Sequence, residues 1–306
     1  MRKDFEILDR RVVESTNGDA PIQVYFNPDE AERKHLVEDL QVDEHTLASA
    51  LDPDELARLE FEPNHVAIIF KRPRSYSGED QLLFKVSSVG MFVFKDRLVI
   101  VQPENVSLFD TKLFTRIGSL NEVFLKMIHR SVFHFLEHLK IINLVCDDIE
   151  RKITAAMENR YLLHLFEMEK SMVYYMNSIH TNAGLTEKLR NSAVKIGLSP
   201  EEVEFLDDLI IENSQCFKQA EINSNILASL MDARASIVAN NLNILMKYLN
   251  IITIGIMVPT LVVSAFSMNV KLPFLDQNGP VAFWVILGLA IISVVAFYVF
   301  WKRKKW

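Results

Sequence analysis

Glycine and cysteine are scarce in this chain, with nine glycines and two cysteines among 306 residues. The few glycines build no phosphate-cradling loop and no nucleophile elbow, and no catalytic triad stands out. Nucleotide-driven transport and hydrolytic chemistry therefore have no visible engine. Cys146 and Cys216 lie far apart, in no metal-ligand spacing, which predicts buried free thiols in a reducing compartment. The opening MRKDFEILDR lacks an apolar h-region, so no secretory leader is expected. Proline is missing between Pro103 and Pro200 and again between Pro200 and Pro259. Such stretches predict long helices.

Charge is missing from two windows, Lys247 to Lys271 and Asp276 to Lys302. The formal net charge of -7 is therefore an average over unlike parts: residues 1–247 carry 39 acids against 28 bases, and the remainder carries five bases against Asp276. A helix needs about 20 apolar residues to cross the hydrocarbon core, and Tyr248–Val270 and Val281–Trp301 each supply them. The connector KLPFLDQNGP is short and rich in turn formers, which predicts an antiparallel pair of spans. Lys247 precedes the first span, and Lys302, Arg303, Lys304 and Lys305 follow the second. The excess of bases at both flanks places both termini in the cytoplasm, for a multi-pass protein of the cell (inner) membrane. Beside a span, the basic run reads as an anchor in the lipid bilayer and not as a nucleic-acid patch.

The part before residue 118 mixes strand and helix signals. Ile22–Phe26, His65–Phe70, Leu82–Val86, Met91–Phe94 and Leu98–Val101 read as strands, with Gly90 and Lys95–Arg97 as turns. Asp29–Leu40 reads as a helix with Pro28 at its start, and Asp52-Pro-Asp-Glu55 as a second helix start. One long helix is expected over Ser119–Met157, and another over Arg160–His180, extending to Ala193 with a break near Gly184. Gly197-Leu-Ser-Pro200 ends that pair and caps a last helix, which continues unbroken into the first span over about 100 Å. The sequence predicts an α+β membrane protein: a cytosolic α/β domain (1–117), a helical pair (118–198), a stalk helix (199–247), a first transmembrane helix (248–270), an outer loop (271–280), a second transmembrane helix (281–301) and a basic tail (302–306). Such a stalk couples a cytosolic body to a pore, or else it is a coiled-coil anchor.

The segment Met246–Phe274, MKYLNIITIGIMVPTLVVSAFSMNVKLPF, resembles the CorA-type magnesium channel family. That family carries Tyr-Gly-Met-Asn at the outer end of the first of two C-terminal spans, and here the signature reads Phe266-Ser267-Met268-Asn269. Met246, Lys247, Leu249, Ile251, Ile252, Met257 and Thr260 also fit the pattern, as do the Asn-Val-x-Leu-Pro-Phe exit and the basic tail. Ala50–Glu60 is similar to the N-terminal domains of smaller members. The resemblance implies a funnel-shaped homopentamer that is not an enzyme, with a pore lined by the first span, Mg²⁺ as the ion passed, and Mg²⁺ between cytosolic domains as the closing ligand. The glycine of the signature is Ser267 here. The zinc-transporting branch also departs from Gly-Met-Asn, so Zn²⁺, Co²⁺ and Ni²⁺ stay open beside Mg²⁺.

The residues suit that chemistry. Mg²⁺ gives up its waters reluctantly, and neutral oxygens can bind the hydrated ion and let it leave. The spans hold no Asp or Glu. Ser267, Met268 and Asn269 would form the mouth. Asn243 would form an inner polar ring, with Leu249 and Met257 as apolar constrictions. Thr253, Thr260 and Ser264 either line the pore or bond to backbone carbonyls near Pro259. By resemblance, Asp232 and Asp208 match regulatory metal ligands, and Lys247 with Lys302–Lys305 forms a basic ring. Asp208 sits among Glu201, Glu202, Glu204, Asp207 and Glu212, a run without a base that can concentrate divalent cations. The family's partner acid falls near Ser49, where Asp52, Asp54 or Glu55 would have to substitute. His134 and His138, four apart on a helix, have no evident third ligand and read as helix-face or core histidines.

Overall fold

A computed structural model describes residues 1–15, 20–74, 83–155, 160–268 and 280–303. The chain forms two compact units, Met1–Asp232 and Ala233–Trp306.

The first unit is built on a seven-stranded mixed sheet in the order β2-β1-β3-β7-β6-β5-β4. Its strands are β1 (Arg2–Leu8), β2 (Arg11–Glu14), β3 (Ile22–Phe26), β4 (Arg58–Phe61), β5 (Val66–Pro73), β6 (Val86–Val93) and β7 (Leu98–Gln102). Only β3 and β7 run parallel; the other neighbours are antiparallel. Both faces of the central strands are covered, which is why β3 and β7 are buried along their whole length and mostly apolar, with Gln23 and Gln102 as the polar members. Ile22, Val24, Ile68 and Ile100 point into one core with the long helices, whereas Tyr25, Ala67, Val99 and Val101 pack on the other face against Leu36, Leu47 and Ala50. That alternation is the period of two that pleating imposes.

Two short helices cover the second face. α1 (Glu30–Lys34) opens on a capping box in which Asp29 and Glu32 satisfy each other's backbone, and it passes into a π-turn at His35–Asp39. Pro28 therefore precedes the cap. α2 (Glu44–Ser49) is capped by Asp43. The helix expected from Asp52-Pro-Asp-Glu55 does not form. Asp52 does accept from the Asp54 amide at 2.9 Å, but its carbonyl takes the Ser88 hydroxyl and the Pro53 carbonyl takes Lys71 Nζ at 2.6 Å. These two carbonyls would have started the helical ladder, and strand side chains from β5 and β6 occupy them instead.

Gly90 is also corrected: it lies inside β6, pairing with Ile69 and Val101, and is no turn. The segment expected as two strands is one strand, Val86–Val93, and Leu82 lies outside the described residues. A Cβ at Gly90 would sit 2.5 Å from the Ala50 Cβ, so the glycine admits α2 onto the sheet. Gly90→Val is expected to destabilise the first unit by about 1–3 kcal/mol through overpacking. Thermal melts should show this as a drop of roughly 3–10 °C.

The long helices are α3 (Leu120–Ala155) and α4 (Arg160–Asn191), followed by a short α5 (Ala193–Ile196) that ends on Gly197 at φ 81. α4 runs through Gly184 without the expected break. Buried Asn182 docks it on the sheet: its side chain accepts from the Lys71 amide and donates to the Lys71 carbonyl, each at 2.8 Å. β4 pairs with β5 only as far as Ile69, so Asn182 replaces the missing strand for a buried backbone that would otherwise stay unsatisfied. α6 (Pro200–Phe266) is one helix of 67 residues, capped by Ser199 and Glu202, and α7 is Pro280–Arg303.

Candidate functional site

α6 and α7 are the helices among the described residues long and apolar enough to cross a membrane, and only 0% and 6% of their apolar windows are buried. A soluble core helix would be mostly buried, so these surfaces face lipid or further protein. In the second unit the half-buried residues of α6 are Asn241, Lys247, Ile251, Gly255, Val258, Pro259, Val262 and Phe266. They recur at helical spacing and form one stripe. Gly255 identifies what covers it: a Cβ there would meet the Phe297 ring of α7 at 3.8 Å. On α7 the buried positions are Ala282 and Ala290, and small residues let two apolar helices approach.

The rest of α6 is left open, and the polar residues are there. At 100° per residue, Thr253, Met257, Thr260 and Ser264 fall roughly opposite the stripe packed on α7, and all four are exposed. They continue a seam with three- and four-residue steps: Asn243, Met246, Asn250, Thr253, Met257, Thr260, Ser264, Ser267. This is the spacing of a helix seam that meets copies of itself. Met246 was named only for the family pattern and Asn250 not at all, yet each lies seven from a seam member, a signal readable by counting heptads. Leu249, 64% exposed, sits about 60° round from Met246, on the shoulder of the seam.

The hydroxyls settle into one role that serves two ends. Thr253 Oγ1 donates to the Leu249 carbonyl at 2.8 Å, and Thr260 Oγ1 to the Ile256 carbonyl at 2.7 Å. With its proton held by the backbone, each oxygen is left with lone pairs and acts as an acceptor. Water bound to a cation presents hydrogens outward, so acceptors are what a hydrated cation requires. Ser267 closes the helix: its amide donates to the Val263 and Ser264 carbonyls at 3.1 and 3.2 Å, and its hydroxyl to Ser264 at 3.0 Å. The non-glycine residues with positive φ among those described are Asp9, Arg10, Asn27 and Gln41. Ser267 is not one of them, so its backbone makes no demand for the glycine of the signature. Met268 is exposed. Asn269, Lys304 and Lys305 lie outside the described residues.

At the other end of the pair, Asn243, Met246, Lys247 and Asn250 share a cavity of about 530 Å³ with Phe297, Phe300 and Trp301. Lys247 therefore lies at the same end as Lys302 and Arg303, as an antiparallel pair requires.

The acidic run at the start of α6 divides once the fold is in place. Glu202 is buried, bonded to the Ser199 amide and the Ser119 hydroxyl. Asp207 pairs with Arg190 at 2.5 Å and Glu212 with His129 at 2.8 Å. Glu201, Glu204 and Asp208 stay exposed and fall on one face. Asp232, also exposed, lies 24 residues further along the helix, about 36 Å away, so Asp208 and Asp232 do not meet within one chain. Near Ser49, Arg58 pairs with Glu55 at 3.2 Å and Glu60 at 3.1 Å, and donates to the Ser49 hydroxyl at 2.9 Å. Lys71 lies below the same loop, its pKa pushed down to about 8 by burial against the pull of Asp52, Asp54 and Glu55. No group of three His, Cys, Asp or Glu side chains among the described residues is placed to hold a metal.

His138 and the two cysteines are core residues, and His134 is half-buried beside them. His138 is buried, with Nδ1 2.5 Å from the Tyr175 hydroxyl and its ring 4.4 Å from that of His134. Burial pushes both imidazoles down to about 4, with His138, Arg72 and Arg130 adding to the effect at His134. Cys146 and Cys216 are buried free thiols, pushed up to about 11 and about 12 by burial.

The family model described as CorA-like Mg2+ transporter protein matches residues 24–304. The cobalt/magnesium transport protein CorA of Methanocaldococcus jannaschii is 24% identical over 294 residues, covering 92% of this chain and 89% of that protein. The complete structure of the CorA magnesium transporter from the same organism superposes with a TM-score of 0.80 at 20% identity, over 99% of this chain and 96% of that one. The full-length CmaX protein gives 0.73 at 13% identity, over 100% and 97%. The ZntB cytoplasmic domain from Vibrio parahaemolyticus gives 0.57 at 12% identity, over 78% and 98%.

Proposed function

The chain belongs to the CorA-like Mg2+ transporter family, a family of ion transporters and not of enzymes, and on that premise we propose that it passes hydrated Mg²⁺ passively through a pore lined by α6 of several copies. The observation that carries this reading is the seam of neutral oxygens and methionines on α6, turned from α7 at Thr253, Met257, Thr260 and Ser264 and lining a cavity beside α7 at Asn243, Met246 and Asn250. Exposed to lipid, the Asn243 and Asn250 amides would lack partners and the threonine oxygens would keep unused lone pairs; facing copies of themselves around water, both would be satisfied. Five copies close the ring in this proposal, with both termini in the cytoplasm, beside Lys247, Lys302 and Arg303. Asn269 forms the outer acceptor ring, Asn243 the inner one, and Leu249 and Met257 the constrictions. Co²⁺ shares the path, being of similar charge and hydration.

The test is flux into liposomes loaded with an ion-sensitive dye, with Mg²⁺, Co²⁺, Ni²⁺ and Zn²⁺ offered singly and in competition. Mg²⁺ should enter with neither ATP nor a proton gradient. Zn²⁺ entry with no Mg²⁺ entry would instead support a second reading, a zinc transporter, which Ser267 favours. Absence of any flux, together with a monomeric or dimeric mass in mild detergent, would support a non-conducting anchor.

The closing site is proposed at Asp232 with Asp208 as a second position, each shared between neighbouring copies. A ligand that binds only the folded assembly stabilises it by about 2.7 kcal/mol at a hundred times its Kd. Millimolar Mg²⁺ should therefore raise the melting temperature of the full-length protein. Asp232→Ala should reduce that rise, each protein being compared with its own Mg²⁺-free melting temperature. Equal rises in both proteins would remove Asp232 from the site.

A further inference from the structure

The first unit contains a cavity of about 460 Å³ that the transport reading does not use. It lies between the sheet, the segment after β7 and α3. Its size falls within the range of small-molecule sites. One part of its wall is apolar, with Phe70, Val89, Leu113, Met127 and Phe133. Another part carries two guanidinium groups, Arg72 and Arg130, with Ser107 and Thr111 exposed beside them.

Arg72 is the unusual member. It is 8% exposed. Its Nη2 donates to Glu104 at 3.1 Å, and Arg74 shares that carboxylate at 2.5 Å. Its Nε is buried and has no hydrogen-bond partner among the described residues. A buried donor left unmade is costly, so a charged one at a cavity wall calls for an acceptor from outside the chain. Arg130 donates to the Leu108 carbonyl and feels Asp110 and Glu137. The third basic group on this wall cannot share the load: His134 is held neutral by burial, by His138 and by the two arginines. Burial lowers both guanidinium pKa values, and Arg130 and Arg74 lower that of Arg72 further against the pull of Glu104. The two guanidinium groups face one carboxylate on the wall, Glu137, and Arg72 Nε is left without an acceptor among the described residues.

We propose that this cavity binds a small organic anion, one carboxylate or phosphate on an apolar body, with the anionic group on Arg72 Nε and Arg130 and the body against Phe70, Met127 and Phe133. The pairing of a charged wall with an apolar one excludes free inorganic anions as the preferred occupant. A guanidinium accepts either head group as a planar donor, so the test compares them.

Phenyl phosphate and benzoate are titrated into the full-length protein in nanodiscs by calorimetry, in Mg²⁺-free buffer. Inorganic phosphate and phenol serve as the body-less and charge-less controls. At least one of the two aromatic anions should bind saturably, and at least tenfold more tightly than either control. Arg72→Met should weaken it at least tenfold, whereas Arg74→Met, outside the cavity wall, should change it less than threefold. Should Arg72→Met fail to fold, Ser107→Trp, which fills the cavity from an exposed position, should give the same loss. No saturable binding of either anion up to 10 mM (a ceiling on the order of a weak metabolite affinity), phenol binding as tightly as the anions, or affinity unchanged by Arg72→Met or Ser107→Trp would each overturn the proposal.

Discussion

Replacing Asn269 with alanine is expected to reduce Mg²⁺ flux into dye-loaded liposomes to the level of protein-free vesicles. The argument starts from the ion. Mg²⁺ holds its water shell in octahedral geometry and dehydrates slowly, so a fast pathway must recognise water hydrogens and not bare metal. An amide oxygen accepts such hydrogens without the attraction of a full charge. Asn269 lies two residues beyond Ser267, where α6 has just ended, so each copy would contribute one amide to the outer mouth. Alanine removes every acceptor of that ring at once. Asn269→Asp tests the other half of the argument. It keeps the acceptors but adds charge, and binding tight enough to slow exit should leave affinity raised and maximal flux lowered. Unaltered flux in Asn269→Ala, with an unaltered oligomer mass, would sink the assignment of the mouth.

Met257→Asn should have the opposite sign. Met257 is 62% exposed on the seam, one helical step from Thr253 and Thr260. A ring of thioether side chains makes a section that water leaves readily, and a dewetted section blocks an ion without touching it. An asparagine at the same place supplies donors and acceptors, and water stays. Residual flux under closing concentrations of Mg²⁺ on the cytosolic side should rise at least about tenfold, corresponding to 1.4 kcal/mol off the barrier. Met257→Leu, apolar and of similar volume, should stay closed. If both variants match the parent, the constriction lies elsewhere, and Leu249 is the next position to vary.

Much of the fold was legible because the signals are local. β3 was read with its observed bounds, Ile22–Phe26, since a strand covered on both faces is mostly apolar, here with Gln23 as the one polar member. The start of α6 was legible from Ser199-Pro-Glu-Glu202, since a capping box is complete within four residues. The failures have the opposite character. Gly90 was read as a turn because glycine usually marks one, whereas the reason for glycine is the Ala50 methyl, forty residues away and 2.5 Å from where a Cβ would be. Asp52-Pro53 carries a good helix-start signal, and it loses to Lys71 and Ser88, which reach its carbonyls from the sheet. The edge hairpin β1–β2 was not assigned at all: half-exposed strands with charged residues show weak alternation.

The candidate site divides along the same line. The run of six acids looked like one cation-concentrating patch. Ser119, Arg190 and His129, brought from α3 and α4, take three of them and leave Glu201, Glu204 and Asp208. Asn250 was passed over, and Met246 was named only for the family pattern, because neither carries a local signal apart from its three- and four-residue spacing to the threonines. That Ser267 can stand in the place of the signature glycine was not legible either, and it follows from a backbone with no positive φ there.

The sequence by itself determined the two spans, their antiparallel sense and the unbroken helix leading into the first. Hydrophobic length, charge placement and the lack of helix breakers are properties of the chain read in one dimension. Only the tertiary structure decided which face of α6 is free, which acids remain unpaired, and that Arg72 is left with an unpartnered donor beside a cavity. Each of these depends on a side chain delivered from a distant element, and a linear pattern carries no record of what will arrive there.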